Sequence, residues 1–208
     1  MNAEGSHSVT DRFLTIVAGC YAALWIGLAI RPVDRGDWFL ENLLVFVIIG
    51  LLIFTFRGFR FSNFSYTLFA VFLALHAFGA HYTYAQVPAG FWLRDLLHLE
   101  RNHFDRVIHF GFGLLLLYPV RDFLTRHVGA RPSWVPWLAL ASIIAMSSFF
   151  EILEAIIAQV VHPELGAAYL GTQGDIWDAQ KDMVAAVFGG IVATALTTGR
   201  RGGVKGQD

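Results

Sequence analysis

"RNHFDRVIHFGFGLLLLYPV", Arg101–Val120, decides how this chain is read. Its second half, Phe110 to Val120, is an uninterrupted apolar stretch. At 1.5 Å of rise per residue that stretch is too short for the roughly 30 Å of hydrocarbon in a bilayer. To span, the helix must take in His109 and Asp105 from the charged first half. A segment bound for lipid thus carries ionisable groups one helical turn apart. A charge near the bilayer centre costs about 2.5–3.5 kcal/mol on insertion scales, so such groups face a bundle interior or a water-filled cavity.

The rest of the chain supports a membrane setting. The 208 residues are 56% apolar and 15% charged, with 19 Phe, and the mean hydropathy is +0.55. Apolar runs predict an all-α bundle of six transmembrane helices forming a single integral membrane domain over 1–208. The helices are placed at about 13–30, 38–56, 64–85, 104–121, 134–160 and 177–198, separated by stretches rich in Gly, Pro and charge. The first run is longer than a signal core, its leader holds Glu4 and Asp11, and no clear cleavage site precedes Arg31, so it reads as a retained helix. Cys20 is the only cysteine, which excludes an intrachain disulfide and argues against a thiolate zinc site. The net charge of -1 gives no reason to expect nucleic-acid binding.

Basic residues set the expected orientation. With the N-terminus inside, the inner segments hold Arg12, Arg57, Arg60, Arg121, Arg126, Arg131, Arg200, Arg201 and Lys205. The outer ones hold Arg31, Arg35, Arg94, Arg101, Arg106 and Lys181. That bias puts both termini in the cytoplasm and the long segments 86–103 and 161–176 outside.

On this topology His81, Asp105, His109, Glu151, Glu154, Asp178 and Asp182 all fall near the outer ends of their helices. Glu151 lies roughly 25 Å along its helix from Trp134. Asp105/His109 and Asp178/Asp182 are four apart and Glu151/Glu154 three apart, so each pair shares one helical face. Four helices turned inward would enclose an outward-facing pocket of imidazole and carboxylate. That donor set suits a divalent cation such as Zn, Mn or Fe. The candidate ligands are Asp105, His109, Glu151, Asp178 and Asp182, with Glu154 or His81 as acid/base.

Plainer readings stand beside this one. Asp105 could neutralise Arg101 or Arg106 at a helix start, where the macrodipole favours acids. His109 could be a packing histidine, and Asp175 an N-cap with Asp178 three residues on. Glu151 and Glu154 could pair with Arg94, Arg101, Arg106 or Lys181. A helix–helix hydrogen bond suits His76, and loop positions suit His98 and His103. Spacing alone names no enzyme: there is no HExxH, GxSxG, P-loop or dinucleotide fingerprint. "GFG" at 111–113 and Gly189–Gly190 read as close-packing positions. Trp38, Trp92, Trp134, Trp137 and Trp177 read as an interfacial belt.

"HAFGAHYTYAQVP" (76–88), "RNHFDRVIHFGFGLL" (101–115), "FFEILEAI" (149–156) and "GTQGDIWDAQKDM" (171–183) resemble the YjdF-like family of bacterial inner-membrane proteins over roughly 13–198. The resemblance implies location and topology rather than an activity. A fainter similarity is to the VanZ-like membrane proteins, associated with glycopeptide-antibiotic resistance. It rests on Asp105-Arg106-Val107-Ile108-His109-Phe110, Glu151/Glu154 and Asp178/Asp182, with Arg106 where that family usually has Lys and Glu154 where it commonly has Gln. It implies that the polar cluster is one unit.

The expected function is a pocket binding a divalent metal or a cell-envelope headgroup, lipid-linked or phosphorylated. If the pocket is catalytic, the chemistry is metal-assisted hydrolysis or transfer. A proton- or cation-coupled transporter and a non-catalytic assembly protein with a structural ion-pair network are the alternatives.

Overall fold

The computed structural model describes residues 3–199, with side chains from 11 to 197. Arg200, Arg201 and Lys205, part of the charge bias above, lie outside the described residues. The described chain is helical with no strand: α1 (Ala3–Leu28), α2 (Arg35–Thr55), α3 (Asn63–His81), α4 (Pro88–Leu97), α5 (Phe104–Arg126), α6 (Val135–Val160), α7 (Pro163–Leu170) and α8 (Asp178–Gly199). Six of these, all but α4 and α7, are long and apolar enough to cross a membrane.

Local chemistry sets the helix ends. Asp34 opens α2 by accepting the Asp37 N–H at 2.9 Å, and Ser62 opens α3 by accepting the Ser65 N–H at 3.2 Å. The short helices α4 and α7 occupy stretches whose Gly, Pro and charge mark them as breaks between spans. Each begins on a proline, Pro88 or Pro163, where the missing N–H is one the helix start would not use. Each ends on a left-handed residue, His98 (φ 53°) or Gly171 (φ 56°). Both lie at the end of the bundle where α3 and α6 finish and α5 and α8 begin.

Helix α5 is central, packing most extensively on α8 and then on α3 and α6. The α5–α8 contact depends on missing side chains. A Cβ on Gly113 would collide with the Ala186 carbonyl and the Gly190 amide, and one on Gly189 would collide with the Phe110 carbonyl. Backbone therefore lies on backbone, as at other close crossings in membranes. This crossing sets the first turns of α5 and α8, with their acids, side by side. Leu116, Leu117, Ala139, Ile143 and Ala186 fill the core beneath. By contrast, no residue of the α1 span is buried within the protein, and Phe54, Val47 and Ile53 of α2 are exposed, as lipid-facing positions would be. Trp92, Trp134, Trp137 and Trp177 are exposed near helix ends.

Candidate metal centre

The acids at the α4/α7 end divide into two layers. The outer layer is neutralised. Arg101 Nη2 lies 2.7 Å from Asp178 Oδ1, and Arg106 Nη2 lies 2.5 Å from Asp175 Oδ2 and 3.2 Å from Asp178 Oδ1. Lys181 Nζ adds a contact to Asp175 Oδ2 at 2.7 Å, and the Trp177 N–H donates to Asp175 Oδ1 at 3.1 Å. The Lys181 hydrogen bond, then the Trp177 amide and Arg106, hold the Asp175 carboxyl well below the usual carboxylate range. Arg106 also donates to His103 Nδ1 at 2.8 Å, and burial followed by the Arg106 and Arg101 charges lowers the His103 pKa. Asp178, a candidate ligand, thus belongs to an arginine network.

Neutral hydrogen bonds brace this layer. Asn102 N–H donates to Gln173 Oε1 at 3.1 Å, and Gln173 Nε2 returns one to Asn102 O at 2.8 Å. Arg101 Nη1 donates to the Thr172 carbonyl. These bonds tie the segment before α5 to the segment before α8.

The inner layer has a different balance. One donor atom from each of Asp105, His109 and Asp182 lies within 4.8 Å of the other two. Ligand atoms held at about 2.1 Å from one ion are at most about 4.2 Å apart, so small side-chain rotations would close the set. His109 Nε2 is 3.6 Å from Asp105 Oδ1 and 3.3 Å from Glu151 Oε1. The side chains of His109 and Glu151 are each 9% exposed, and that of Asp182 only 3%. Glu151 Oε1 and Asp182 Oδ1 are buried without a hydrogen-bond partner. The only basic side chain within 4 Å of these four residues, among those described and histidine aside, is Arg106, with Nε 3.8 Å from Asp182. Glu154, one turn beyond Glu151, is repelled by Asp105, Glu151, Glu41 and Asp182.

His81 lies elsewhere. Its Nδ1 meets the Leu28 carbonyl at 2.7 Å, tying the end of α3 to the end of α1. His76 makes a helix–helix hydrogen bond, as expected, with Nε2 3.1 Å from the Glu41 carbonyl. Because that carbonyl can only accept, Nε2 carries the proton, and Nδ1 of the neutral ring accepts from the Tyr84 hydroxyl at 2.5 Å.

Sequence reasoning missed α2 here. Asp37 is 1% exposed and Glu41 4%. The charges of these acids act on two outlying tyrosines, as do those of the α5 and α6 acids. Burial, and then the charges of Glu41, Asp105, Glu154 and Asp37, push the Tyr84 phenol well above its ordinary range. Burial, and then Glu41, Glu154, Asp37 and Glu151, push Tyr169 up. The available signal was the spacing: Asp37 and Glu41, four apart, share a face of an otherwise apolar helix.

An apolar cleft of about 540 Å³ between α1, α2 and α3, lined among others by Trp25, Phe46, Tyr66 and Leu73, lies apart from this cluster.

The fold and the layered acids define a polytopic membrane bundle with a polar centre near one end. The model of the family described as "Predicted membrane protein (DUF2238)" matches residues 13–202. The chain is 34% identical over 166 residues to "Inner membrane protein YjdF" of Escherichia coli (strain K12), covering 79% of this chain and 77% of that protein. No solved structure matches. The chain belongs to this family of YjdF-like membrane proteins, and it is a multi-pass protein of the inner membrane.

Proposed function

We propose that the protein binds a divalent transition metal through Asp105, His109 and Asp182, with Glu151 completing or supporting the set. The observation that carries this reading is the charge imbalance of the inner layer. The chain neutralises Asp175 and Asp178 with three basic residues, yet among the described residues brings only one guanidinium, at 3.8 Å, within 4 Å of the acids below them. Carboxylates buried without partners cost several kcal/mol each, and a bound cation removes that cost. One imidazole with carboxylates suits Zn, Mn or Fe.

The positive-inside bias supports a centre facing the periplasm, where cell-envelope compounds are the substrates within reach. Bound there, the metal would polarise a phosphoryl or carbonyl oxygen. Glu154 lies where it could exchange a proton, and Arg101 and Arg106 border the site with charge suited to a phosphorylated or lipid-linked headgroup.

Elemental analysis of purified protein is the test. Wild type should carry Zn, Mn or Fe in proportion to protein, and Asp105→Ala and Asp182→Asn should lose most of it while remaining monodisperse. Equal metal in all three proteins would end this reading.

A further inference from the structure

The proposed centre leaves acids unaccounted for. Asp37 is 1% exposed and Glu41 4%, on α2, a helix that packs on α3 and α7. A single ion held by α5 and α8 draws no ligand from α2.

Asp37 supplies the independent sign of a ligand. Both of its carboxylate oxygens are buried and neither has a hydrogen-bond partner. No basic side chain pairs with Asp37 among the described residues, and Glu41 has only His76, at 3.9 Å. Asp37 and Glu41 repel each other, and Asp105 repels Glu41. The imidazole cannot help, because His76 spends one nitrogen on the Glu41 carbonyl and the other on Tyr84. The backbone is strained in the same place. Thr83 (φ 54°) and Tyr84 (φ 48°) are consecutive left-handed residues without glycine. This turn lays the Tyr84 ring against Gly79, where a Cβ would come within 2.7 Å of it, and carries the hydroxyl to His76.

We infer that Asp37 and Glu41 hold a second cation, a hard divalent ion such as Mg²⁺ or Mn²⁺. The inference extends the reading above by adding a site on a different helix. Ligand chemistry separates the two ions. The Asp105/His109/Asp182 set includes an imidazole and suits a transition metal, whereas α2 offers carboxylate oxygens alone. Mg²⁺ is commonly held by one or two carboxylates and keeps several waters. Two carboxylates one turn apart therefore suffice without a third side chain.

Manganese stoichiometry tests this on the full chain, purified in detergent, stripped of metal and dialysed against Mn²⁺. Wild type should bind two Mn per chain, and Asp37→Asn and Glu41→Gln one. Excess Mg²⁺ should displace one Mn from wild type and none from either α2 variant. The Asp105→Asn/His109→Ala protein should keep one Mn, and Mg²⁺ should displace it. One Mn in wild type that the α2 variants retain overturns the second site and leaves the first standing. One Mn that survives Asp105→Asn/His109→Ala but not Glu41→Gln overturns the first and leaves the second. No bound Mn overturns both. If the α2 variants fail to fold, wild type still decides: without a Mg²⁺-displaceable half, the second site is wrong.

Discussion

Asp122 and Asp182 are both buried acids near the end of a membrane helix, and the chain treats them in opposite ways. Asp122, at the end away from α4 and α7, accepts from Ser62 N–H at 2.8 Å, Ser65 Oγ at 2.9 Å and Arg126 Nη1 at 3.1 Å. Asp182, at the α4/α7 end, has one oxygen with no partner and a guanidinium no nearer than 3.8 Å. Where this sequence buries a carboxylate to hold helices together, it provides the donors. Donors are missing at Asp182 Oδ1 and at both Asp37 oxygens, which is where the proposed cations would bind.

That contrast can be broken in several ways. The largest effect is expected from Gly189→Leu, which forces apart the crossing that sets Asp105 beside Asp182. Folded yield should collapse on size exclusion, and any recovered protein should lack metal. A near-normal yield with full metal content would show that the crossing does not position the centre. Next, a saturating divalent metal should stabilise wild type against thermal unfolding in detergent by about 2.7 kcal/mol at one hundred times its dissociation constant. Chelation should remove that gain, and metal-stripped and loaded protein melting alike would count against the centre.

Asp122→Ala removes the acceptor of the part-buried Ser62 amide and of the Ser65 hydroxyl, and should cost about 1–3 kcal/mol with metal content unchanged. Asp182→Asn should have the opposite sign in metal-free protein. It removes a repelled charge without creating a void, so stability should rise by about 1 kcal/mol while metal binding is lost. Equal destabilisation by the two substitutions would erase the distinction between the two ends.

The smallest effect concerns the rim. Because the folded Asp175 carboxyl sits below its ordinary range, its contribution is complete above the unfolded value of about 3.9. It is lost only as pH falls through the lower folded value. The melting difference between wild type and Asp175→Asn should therefore be flat from pH 8 to 5 and shrink below 4. A difference that grows on acidification would reverse the assignment.

Much of the fold was legible because hydropathy and helix length are blunt, additive signals. Phe110–Val120 could span only by enlisting Asp105 and His109, and α5 does begin at Phe104. The short helices α4 and α7 were read as breaks because Pro and Gly mark ends as readily as loops. Pro88 and Pro163 open helices here, and Gly171 closes one. Within the site, helical spacing paired Asp105 with His109 but could not say which arginine reaches which acid. Arg101 and Arg106 lie about seventy residues from Asp175 and Asp178, so the split into a neutralised rim and a deficient interior is a tertiary fact. Asp37 was overlooked because an acid at a helix start is normally explained by the dipole. It is buried on a helix that packs on α3 and α7, elements far along the chain. His81 sits at the expected end of its helix but turns to the Leu28 carbonyl, a choice of face that spacing from His76 does not decide.

The exchange between Asn102 and Gln173 has a bearing on environment. Salt weakens exposed ion pairs, but it acts little on uncharged amide bonds. The Lys181–Asp175 pair, with its half-exposed lysine, would soften in a concentrated medium, while the amides would keep the segments before α5 and α8 in register. The separation between the segments that carry Asp105 and Asp182 would then change little with ionic strength.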